Sequence, residues 1–386
     1  WFQKNKPVSG QGKIKLAEAL IKNNYKDSGY WLIRKSWIDH NYTLSEEKRI
    51  LKKYKNIITF NDHAERLDRL IWSKTWGSAN RQIKRVQKDI QTLGIARIKL
   101  SRRKPNVDRA VALVPKHLIN NEALIYERVR WRRKAGLEKQ SLELLINYND
   151  VLKKPNKWWY EMRYHIRKNL NRGDIDTALK IINNNRQVKK TNSAEAEWLG
   201  GWISLQFKKN PSKAYEHFTK MFANVSTPIS SARAAYWSGR SAESLGDIEG
   251  SQIWFERASA LPSTFYGQLS LNKIGKKINI PIYDINFTDQ ELKNYSNKTI
   301  IRTLVALIDS KHKRLSRKFT VHIVKTAKNS KEILMLAKIL EELKKNYLII
   351  TLAKQAVYED LYIPRLNFPI PEQKFFSRKN IDKRVP

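Results

Sequence analysis

AEAEWLGGWISLQFKKNPSKAYEHFTKMFANVSTPISSARAAYWSGRSAESL, residues 194 to 245, is the stretch of sequence that decides the fold. Its first segment repeats apolar residues at helical spacing, at Ala194, Trp198, Trp202 and Leu205. A stripe of this kind gives a helix one apolar face, which only a neighbouring helix can cover. The stretch therefore predicts helices that pack against one another.

The two segments that follow carry matching stripes. These lie at Ala214, Phe218 and Met221 in the second segment and at Ala232, Ala235, Gly239 and Ala242 in the third. Small residues on one face of a helix let a second helix axis come close. The third segment is therefore predicted to cross a neighbour at short distance.

Turn residues recur around this stretch at a fixed interval. They lie at Gly136, Gly173, Asn210 and Gly246, which are 37, 37 and 36 residues apart. That interval is typical of one helix-turn-helix hairpin in a stacked array. Upstream, Gly77 and Pro105 are predicted to mark shorter turns.

Start signals agree with the repeat. Asp174 and Asp247 directly follow turn glycines and are expected to cap the next helix. Pro211 follows Asn210 and is expected at a first helical position, where its missing N–H costs little. After Gly275 the regularity is expected to end, with a linker around Pro281 and then three helical patterns.

The fold class predicted from these patterns is all-α, a solenoid of tetratricopeptide-like hairpins. Glycine and proline together make up only 26 of the 386 residues, too few for the turns of a multi-stranded β protein. We predict a helical-repeat domain over 1–280, a smaller helical linker domain over 281–363 and an extended, proline-bearing linker over 364–386.

The chain is strongly basic, with 75 Lys and Arg against 36 Asp and Glu and a net charge of +39. Such a balance raises the question of a polyanionic partner. The excess is spread along the chain, with local concentrations at Arg128 to Lys134 and at Lys311 to Lys318. We interpret both as solvated helix faces, although either could line a groove for phosphates.

Several kinds of chemistry are excluded by residue type and spacing. The chain has no Cys, so it forms no disulfide and has no thiolate nucleophile. Its seven His lie no closer than ten residues apart, so no HxxxH metal spacing exists. No nucleotide loop, no GxSxG elbow and no apolar run of membrane-spanning length occurs. We expect no cofactor, no metal and no membrane span.

The region from Trp158 to Leu271 resembles the soluble lytic murein transglycosylase family. The resemblance rests on WWYEMRYHIRKNLNRGD from Trp158, AEAEWLGGWISLQF from Ala194, HFTKMFANVSTPISSARAAYWSGRSAESLGD from His217 and WFERASALPSTFYGQLSL from Trp254. The most specific part is the TPIS–AR–YW–GR run followed by TFYGQL. Weaker echoes at Arg66 and Leu124 extend it to at least two thirds of the chain.

The resemblance implies a right-handed superhelix that closes into a ring beneath a lysozyme-like catalytic domain. It implies an exported, periplasmic enzyme that cleaves the β-1,4 bond between N-acetylmuramic acid and N-acetylglucosamine in peptidoglycan, giving a 1,6-anhydro product. In that family a Glu within a Glu-Ser motif, followed by Gly-Leu-Met-Gln, is the general acid and base. The partners implied are glycan strands and the catalytic domain of the same parent protein.

This chain departs from that pattern in one respect. Its one Glu-Ser pair, Glu243–Ser244, lies at the end of a repeat helix, where the family has no catalytic group. We therefore predict no catalytic residue here and expect the chain to be inactive alone. The catalytic domain would begin after Pro386, so the chain is either a truncated piece or a natural non-catalytic paralogue.

The candidate glycan-binding residues lie on one helical stripe and one later turn. The stripe is Arg233, Tyr236, Trp237 and Arg240, and the later residues are Tyr266 and Gln268. Aromatic rings can stack on a sugar face, and guanidinium groups can pair with a carboxylate. The alternative role of all six is packing between repeats, with the arginines extending beside the rings.

Two other functions remain open at this point. A helical-repeat protein that binds RNA would fit the charge and the aromatic content. The residues after the turns differ in character, whereas RNA-reading repeats keep the same contact positions in each unit, so nucleic acid is the less favoured partner. A scaffold for protein partners would use the same solenoid.

Overall fold

A computed structural model describes Phe2, residues 5–150, 152–184, 190–277 and 286–359, Ile363 and Leu366. Contacts divide the chain into two compact units, Trp1–Val188 and Lys189–Pro386. Regular structure in the described ranges is helical throughout, which confirms the all-α fold class. The predicted linker over 364–386, Leu366 apart, and residues 281–285 lie outside the described residues, so the three domain boundaries stay a prediction.

The first unit contains eleven α-helices within its described residues, and a short 3-10 turn at Lys116–Leu118. They are α1 Gly10–Lys22, α2 Lys26–Asp39, α3 Leu44–Lys53, α4 Phe60–Trp72, α5 Trp76–Ile83, α6 Lys88–Arg102, α7 Val107–Ala112, α8 Glu122–Lys134, α9 Glu138–Asn147, α10 Pro155–Asn171 and α11 Ile175–Asn183. Several neighbours in sequence pack as pairs, namely α1 with α2, α4 with α5, α6 with α7, α8 with α9 and α10 with α11.

The second unit contains ten helices within its described residues. They are α12 Lys190–Gln206, α13 Pro211–Asn224, α14 Pro228–Leu245, α15 Ile248–Ser259, α16 Phe265–Lys273, α17 Asp289–Ser296, α18 Thr299–Asp309, α19 Lys313–Thr326, α20 Ser330–Glu342 and α21 Asn346–Tyr358. Helices α17 to α21 surround a core of their own, which includes Leu304, Leu336 and Leu352. The sequence predicted three helices here, and the structure has five.

A left-handed residue follows each even-numbered helix from α4 to α20. These residues are Lys74, Arg103, Gly136, Gly173, Lys209, Gly246, Gly275, Lys311 and Lys344. The residue after Gly246, Asp247, donates its backbone N–H to the Ala242 carbonyl at 3.0 Å, and the same six-residue bond closes the turns after α8 and α10. This is the Schellman ending of a helix, in which a left-handed backbone is needed.

The turn predictions are largely confirmed. Gly136, Gly173 and Gly246 have φ of +83°, +79° and +80°. At the turn predicted around Asn210 the left-handed residue is Lys209, and Asn210 instead caps α13. Gly77 was wrong as a turn, since it lies inside α5 and Lys74 takes the left-handed position. The regularity also does not end at Gly275, since Lys311 lies 36 residues later and Lys344 another 33.

The predicted helix starts are confirmed. The Asp174 carboxylate accepts from the Thr177 N–H at 3.0 Å, and the Asp247 carboxylate accepts from the Gly250 N–H at 2.8 Å. Pro211 is the first residue of α13. Each cap satisfies an N–H that would otherwise have no partner in the first turn of the helix.

The small residues of α14 set a close crossing, as predicted. A Cβ atom on Gly239 would lie 2.8 Å from the Phe255 ring of α15. Glycines of α12 lie equally close to α13, because a Cβ on Gly201 would lie 2.7 Å from the Phe218 ring. In both pairs an aromatic ring of the second helix fills the space that a side chain on the first would take.

Candidate functional site

Helices α12, α14 and α16 of the second unit bring together most of the predicted site residues. We name as the aromatic wall the following set: Trp198 and Trp202 of α12, Arg233, Tyr236 and Trp237 of α14, and Tyr266 of α16. The helices α13 and α15 pack behind them with Phe218 and Phe255. The wall thus lies on the first helix of each hairpin.

Tyr236 is the centre of the aromatic wall. Its side chain is buried, with 7% of the residue exposed. Its ring lies 5.3 Å from Tyr266, 5.7 Å from Trp237 and 5.7 Å from Phe255, measured between centroids. The Tyr236 ring is therefore enclosed by three other rings.

Trp237 joins the wall to α13. Its ring stacks on Phe218 with centroids 5.8 Å apart and an angle of 28° between planes. Besides Tyr236, its ring also neighbours that of Tyr266, with centroids 6.5 Å apart. The indole Nε1 is buried and has no hydrogen-bond partner among the described residues. Most buried indole N–H groups find an acceptor, so this donor is unusual.

Trp198 and Trp202 extend the wall along α12. Their rings stack with centroids 6.0 Å apart, and the Arg233 guanidinium carbon lies 5.0 Å from the Trp198 ring. Burial lowers the pKa of Arg233 from its usual range. The sequence indicated that both tryptophans belong to the hairpin stripe but did not indicate that Trp198 lies beside Arg233. Their i, i+4 spacing on the first helix of a hairpin, as in α14, was the signal that could have found them.

Arg240 lies at the edge of the wall. Its Nη1 donates to the Tyr236 hydroxyl at 3.4 Å, and this contact raises the pKa of Arg240. Its Nε lies 3.0 Å from one carboxylate oxygen of Glu243, and the other oxygen of that carboxylate pairs with Lys273 at 2.8 Å. Arg240 is therefore already held by two internal contacts.

Gln268 is tied to its own turn. Its amide donates to the Pro262 carbonyl at 3.2 Å, which fixes the start of α16. The structure thus brings Tyr236, Trp237 and Tyr266 into contact, with Arg240 on Tyr236 and Arg233 on Trp198. Gln268 has a hydrogen bond within its own turn.

Glu243 has the environment of a surface ion pair. Its side chain is 37% exposed and pairs with Arg240 and Lys273. The hydroxyl of Ser244 donates to the Arg240 carbonyl within the same helix at 2.9 Å. A glycosidase acid needs a desolvated carboxyl with a raised pKa that meets the substrate. Glu243 has neither a buried carboxyl nor an unpaired one.

Two buried glutamates of the first unit also fail as general acids. Glu47 is fully buried among Arg66, Arg81 and Arg85, and the guanidinium groups hold its pKa below the usual range despite burial. Glu127 has a pKa raised by burial, yet its residue is only 3% exposed and it pairs with Arg130 at 3.3 Å. A carboxyl enclosed in the protein core cannot reach a glycan strand and so cannot donate a proton to it.

Solved structures share this fold over nearly the whole chain. An inactive mutant of a lytic transglycosylase from Pseudomonas aeruginosa superposes with a TM-score of 0.63 at 15% identity, covering 94% of this chain and 57% of that one. The 70-kDa soluble lytic transglycosylase of Escherichia coli gives 0.53 at 10% identity, covering 99% and 61%.

A third structure is a 70-kDa soluble lytic transglycosylase in complex with bulgecin A. It superposes with a TM-score of 0.55 at 12% identity and covers 99% of this chain and 61% of that one. No protein-family model matches the chain, and no curated protein is similar to it. At these identities the likeness shows the fold, and the chain spans about three fifths of the length of the structures it matches.

Proposed function

We propose that this chain is the superhelical, non-catalytic part of a lytic transglycosylase. The whole enzyme would cleave the bond between N-acetylmuramic acid and N-acetylglucosamine in peptidoglycan and leave 1,6-anhydro products. In this proposal the chain supports a separate, lysozyme-like catalytic domain of the same parent protein. It works in the periplasm and binds glycan strands. The proposal keeps the predicted helical-repeat region over 1–280 and linker region over 281–363.

The observation that carries the proposal is the extent of the fold likeness. The superposition covers 94 to 99% of this chain, yet only 57 to 61% of each matched transglycosylase. A shared hairpin alone would match a short segment, whereas here the whole series of helices agrees. The quoted TPIS–AR–YW–GR and TFYGQL segments support the same family from the sequence side.

The aromatic wall supports the role of a glycan guide. Trp198 and Trp202 are only partly buried and offer stacked rings, and Arg233 lies beside Trp198. Sugar rings present flat faces of C–H groups that pack on aromatic rings, and the peptide part of a muropeptide carries carboxylates that pair with arginine. None of the described helices is long and apolar enough to cross a membrane.

Sedimentation with purified cell-wall sacculi tests binding and cleavage together. We expect this chain to sediment with sacculi and to release no anhydro-muropeptides. Trp202→Ala should weaken sedimentation several-fold, whereas Trp31→Ala, at a tryptophan that is 61% exposed on α2, should leave it unchanged. Release of anhydro products, or no binding at all, would contradict the proposal.

The RNA-binding alternative gains nothing from the comparisons, since the matched structures are lytic transglycosylases. Titration with single-stranded RNA at several salt concentrations tests it directly. Affinity that exceeds sacculus binding and falls steeply with salt would restore that alternative.

A further inference from the structure

A cavity of about 860 Å³ lies in the first unit, among helices α2, α4, α6 and α8 and the segment that leads into α10. We name it the charge-balanced cavity. Five of its lining residues are basic and five are acidic, although the whole chain has 75 basic residues against 36 acidic ones. Its volume falls within the range of about 300 to 1,000 Å³ that ligand sites occupy. The balance of charge does not favour a polyanion as its ligand.

Helices α4 and α6 give the cavity an apolar surface. Leu67 and Trp72 of α4 and Leu93 of α6 line it, and each of the three residues is less than 9% exposed. The Trp72 ring contacts Tyr126 of α8, with centroids 4.9 Å apart, which fixes its position. The aliphatic part of a ligand would therefore bury apolar area against a rigid surface.

One ion pair lies beside this apolar surface. The Nη1 of Arg97 lies 2.7 Å from a carboxylate oxygen of Asp68, and Arg97 is 3% exposed. The Nε of Arg97 is buried and has no hydrogen-bond partner among the described residues. A buried donor without an acceptor costs free energy. A carbonyl oxygen of a ligand is the kind of acceptor that this donor lacks.

Three further charges of the cavity are already engaged. Arg69 donates to a backbone carbonyl at 3.1 Å. Glu122 accepts from the Lys154 backbone N–H and from the Trp158 indole, both at 3.0 Å. Asp150 has an interaction partner of its own. These groups hold the walls of the cavity and leave the remaining charges to a ligand.

The remaining charges differ between the two ends of the cavity, since α2, α4, α6, α8 and α10 pack in that order. At the first end, Asp39 has no hydrogen bond or ion pair with any described residue, and Glu65 accepts one hydrogen bond from a neighbouring amide at 3.1 Å. Lys35 is one ammonium group beside these two carboxylates. At the α10 end, the ammonium groups of Lys153 and Lys154 have no partner among the described residues.

We propose that the charge-balanced cavity binds a short peptide that carries both a free ammonium group and a free carboxylate. The ammonium group faces Asp39 and Glu65, and the carboxylate faces Lys153 and Lys154. An uncharged sugar would leave both sets of charges unused, and a polyanion would be repelled by the two carboxylates. The choice of the stem peptides of peptidoglycan as the source of this peptide rests on the proposed function.

The test is a calorimetric titration of this chain with a soluble muropeptide whose stem peptide has a free side-chain amine and free carboxylates. Two blocked forms are titrated beside it, one with the amine acetylated and one with the carboxylates amidated. We expect each blocked form to bind at least about fivefold more weakly, because each loses one set of charge-assisted bonds. Equal affinity for all three forms would overturn the proposal.

Two double variants locate the two ends. Lys153→Gln with Lys154→Gln should weaken binding of the free muropeptide about tenfold and that of the amidated form less than twofold, since the amidated form has no carboxylate to lose. Asp39→Asn with Glu65→Gln should do the same for the free and the acetylated forms. Losses of equal size in every form would mean that the variants act on the fold or on the general charge, and would overturn the assignment.

Matched controls remove the same charges outside the cavity. Lys48→Gln with Lys52→Gln changes two exposed lysines of α3, and Asp108→Asn with Glu143→Gln changes two exposed acidic residues of the first unit. Each should change binding of the free muropeptide less than twofold. Losses as large as those of the cavity variants would overturn the cavity as the site. Circular dichroism and the melting temperature check that all variants are folded.

Three further arms separate this inference from the proposed function. If sacculi bind equally to the original chain and to all variants while blocking the muropeptide changes nothing, the cavity proposal falls and the function stands. If penta-alanine with free termini binds and both cavity variants weaken it while sacculi do not bind, the cavity proposal stands and the function falls. Binding of a peptide-free disaccharide that the cavity variants abolish would assign the cavity to sugar and overturn the peptide proposal.

Discussion

Helices α10 and α14 carry aromatic residues and arginines at the same four positions, with the two kinds exchanged at the first two, and use them differently. Both end in a Gly-Asp-Ile turn, at Gly173 and at Gly246, which lie 73 residues apart. The same offset relates Tyr160 to Arg233, Tyr164 to Trp237 and Arg167 to Arg240. On α14 these side chains pack under α16, whereas on α10 they line a groove with an exposed ring.

The difference lies in what covers each face. Tyr266 of α16 lies 5.3 Å from Tyr236 and closes the α14 side, while the nearest lining partner of Tyr164 in the groove is the Arg133 guanidinium. A stripe of aromatic and arginine residues therefore does not by itself distinguish core from open surface. The residues of the next element decide it, because burial depends on the neighbour.

The largest contrast should appear when one tyrosine is removed from the aromatic and arginine stripe of each helix. Tyr236→Ala deletes a buried ring with three ring neighbours, and we expect it to lower the free energy of unfolding by about 3 to 5 kcal/mol. Tyr160→Ala, at a residue that is 67% exposed, should change it by no more than about 0.5 kcal/mol. Urea denaturation of both variants measures this. Similar losses would mean that the α10 face is packed too.

A buried histidine should make the α10 region sensitive to acid. His165 is 2% exposed, its Nε2 lies 2.9 Å from the Ser141 hydroxyl, and burial lowers its pKa to about 4. The equivalent residue of α14 is Ser238. Glu161, Arg133, Glu138 and Arg172 are the charges that act on His165, and burial outweighs them.

The sign follows from the lowered pKa. Above pH 6.5 the histidine is neutral in both states and stability is full. As pH falls from 6.5 towards 4 the unfolded chain gains a proton that the folded chain does not, so up to about 3 kcal/mol of stability is lost. Melting temperatures across this range should fall less in His165→Gln than in the original chain. An identical slope in both would contradict the prediction.

At one pair of equivalent positions, adding a methyl group on α14 and removing one on α10 should both lower the stability, for opposite reasons. Gly239 of α14 corresponds to Ile166 of α10, which is fully buried. Gly239→Ala puts a methyl group against the Phe255 ring and should cost about 1 to 3 kcal/mol. Ile166→Val removes a methyl group and should cost about 1 kcal/mol. Denaturation midpoints test both, and a stabilising Gly239→Ala would show that α15 can move away.

The smallest effects are expected at the turns. Gly246→Ala should cost about 1 kcal/mol through backbone strain alone, since no atom lies within 4 Å of the new Cβ. Lys209→Gly should raise the free energy of unfolding by about 1 kcal/mol, because φ at this turn is +51° and glycine adopts such a value without strain. The two midpoints in urea should move in opposite directions. A destabilising Lys209→Gly would show that the lysine makes a contact worth more than the strain.

Local chemistry explains how much of the fold was predictable. Asp174, Asp247 and Pro211 act through their own backbone neighbourhood, so their roles follow from sequence alone. The left-handed turns at Lys74 and Lys209 were not predicted, because nothing in a lysine side chain indicates a left-handed backbone. Gly77 was therefore predicted as the turn instead of Lys74. For the same reason only three of the five helices from Asp289 onward were predicted, since their turns use Lys311 and Lys344.

The site was predictable in membership more than in arrangement. Five of the six candidates lie near one another in the structure because Arg233, Tyr236, Trp237 and Arg240 share a face and Tyr266 begins the next hairpin. Sequence could not show that Tyr236 would be enclosed or that Gln268 would bond to Pro262, since both depend on how α16 is placed. The groove on α10 was not predicted, although shifting the sequence by 73 residues aligns its members with the α14 stripe.

The left-handed residue after each even-numbered helix has a consequence for tracing distant kinship. Backbone handedness at these positions persists whether the side chain is glycine, lysine or arginine. We therefore expect backbone dihedral angles to identify the hairpins of related chains at 10 to 15% identity, where the sequences differ too much to align. In this array the left-handed backbone recurs at regular spacing, whereas the residue type at these positions is only partly constant.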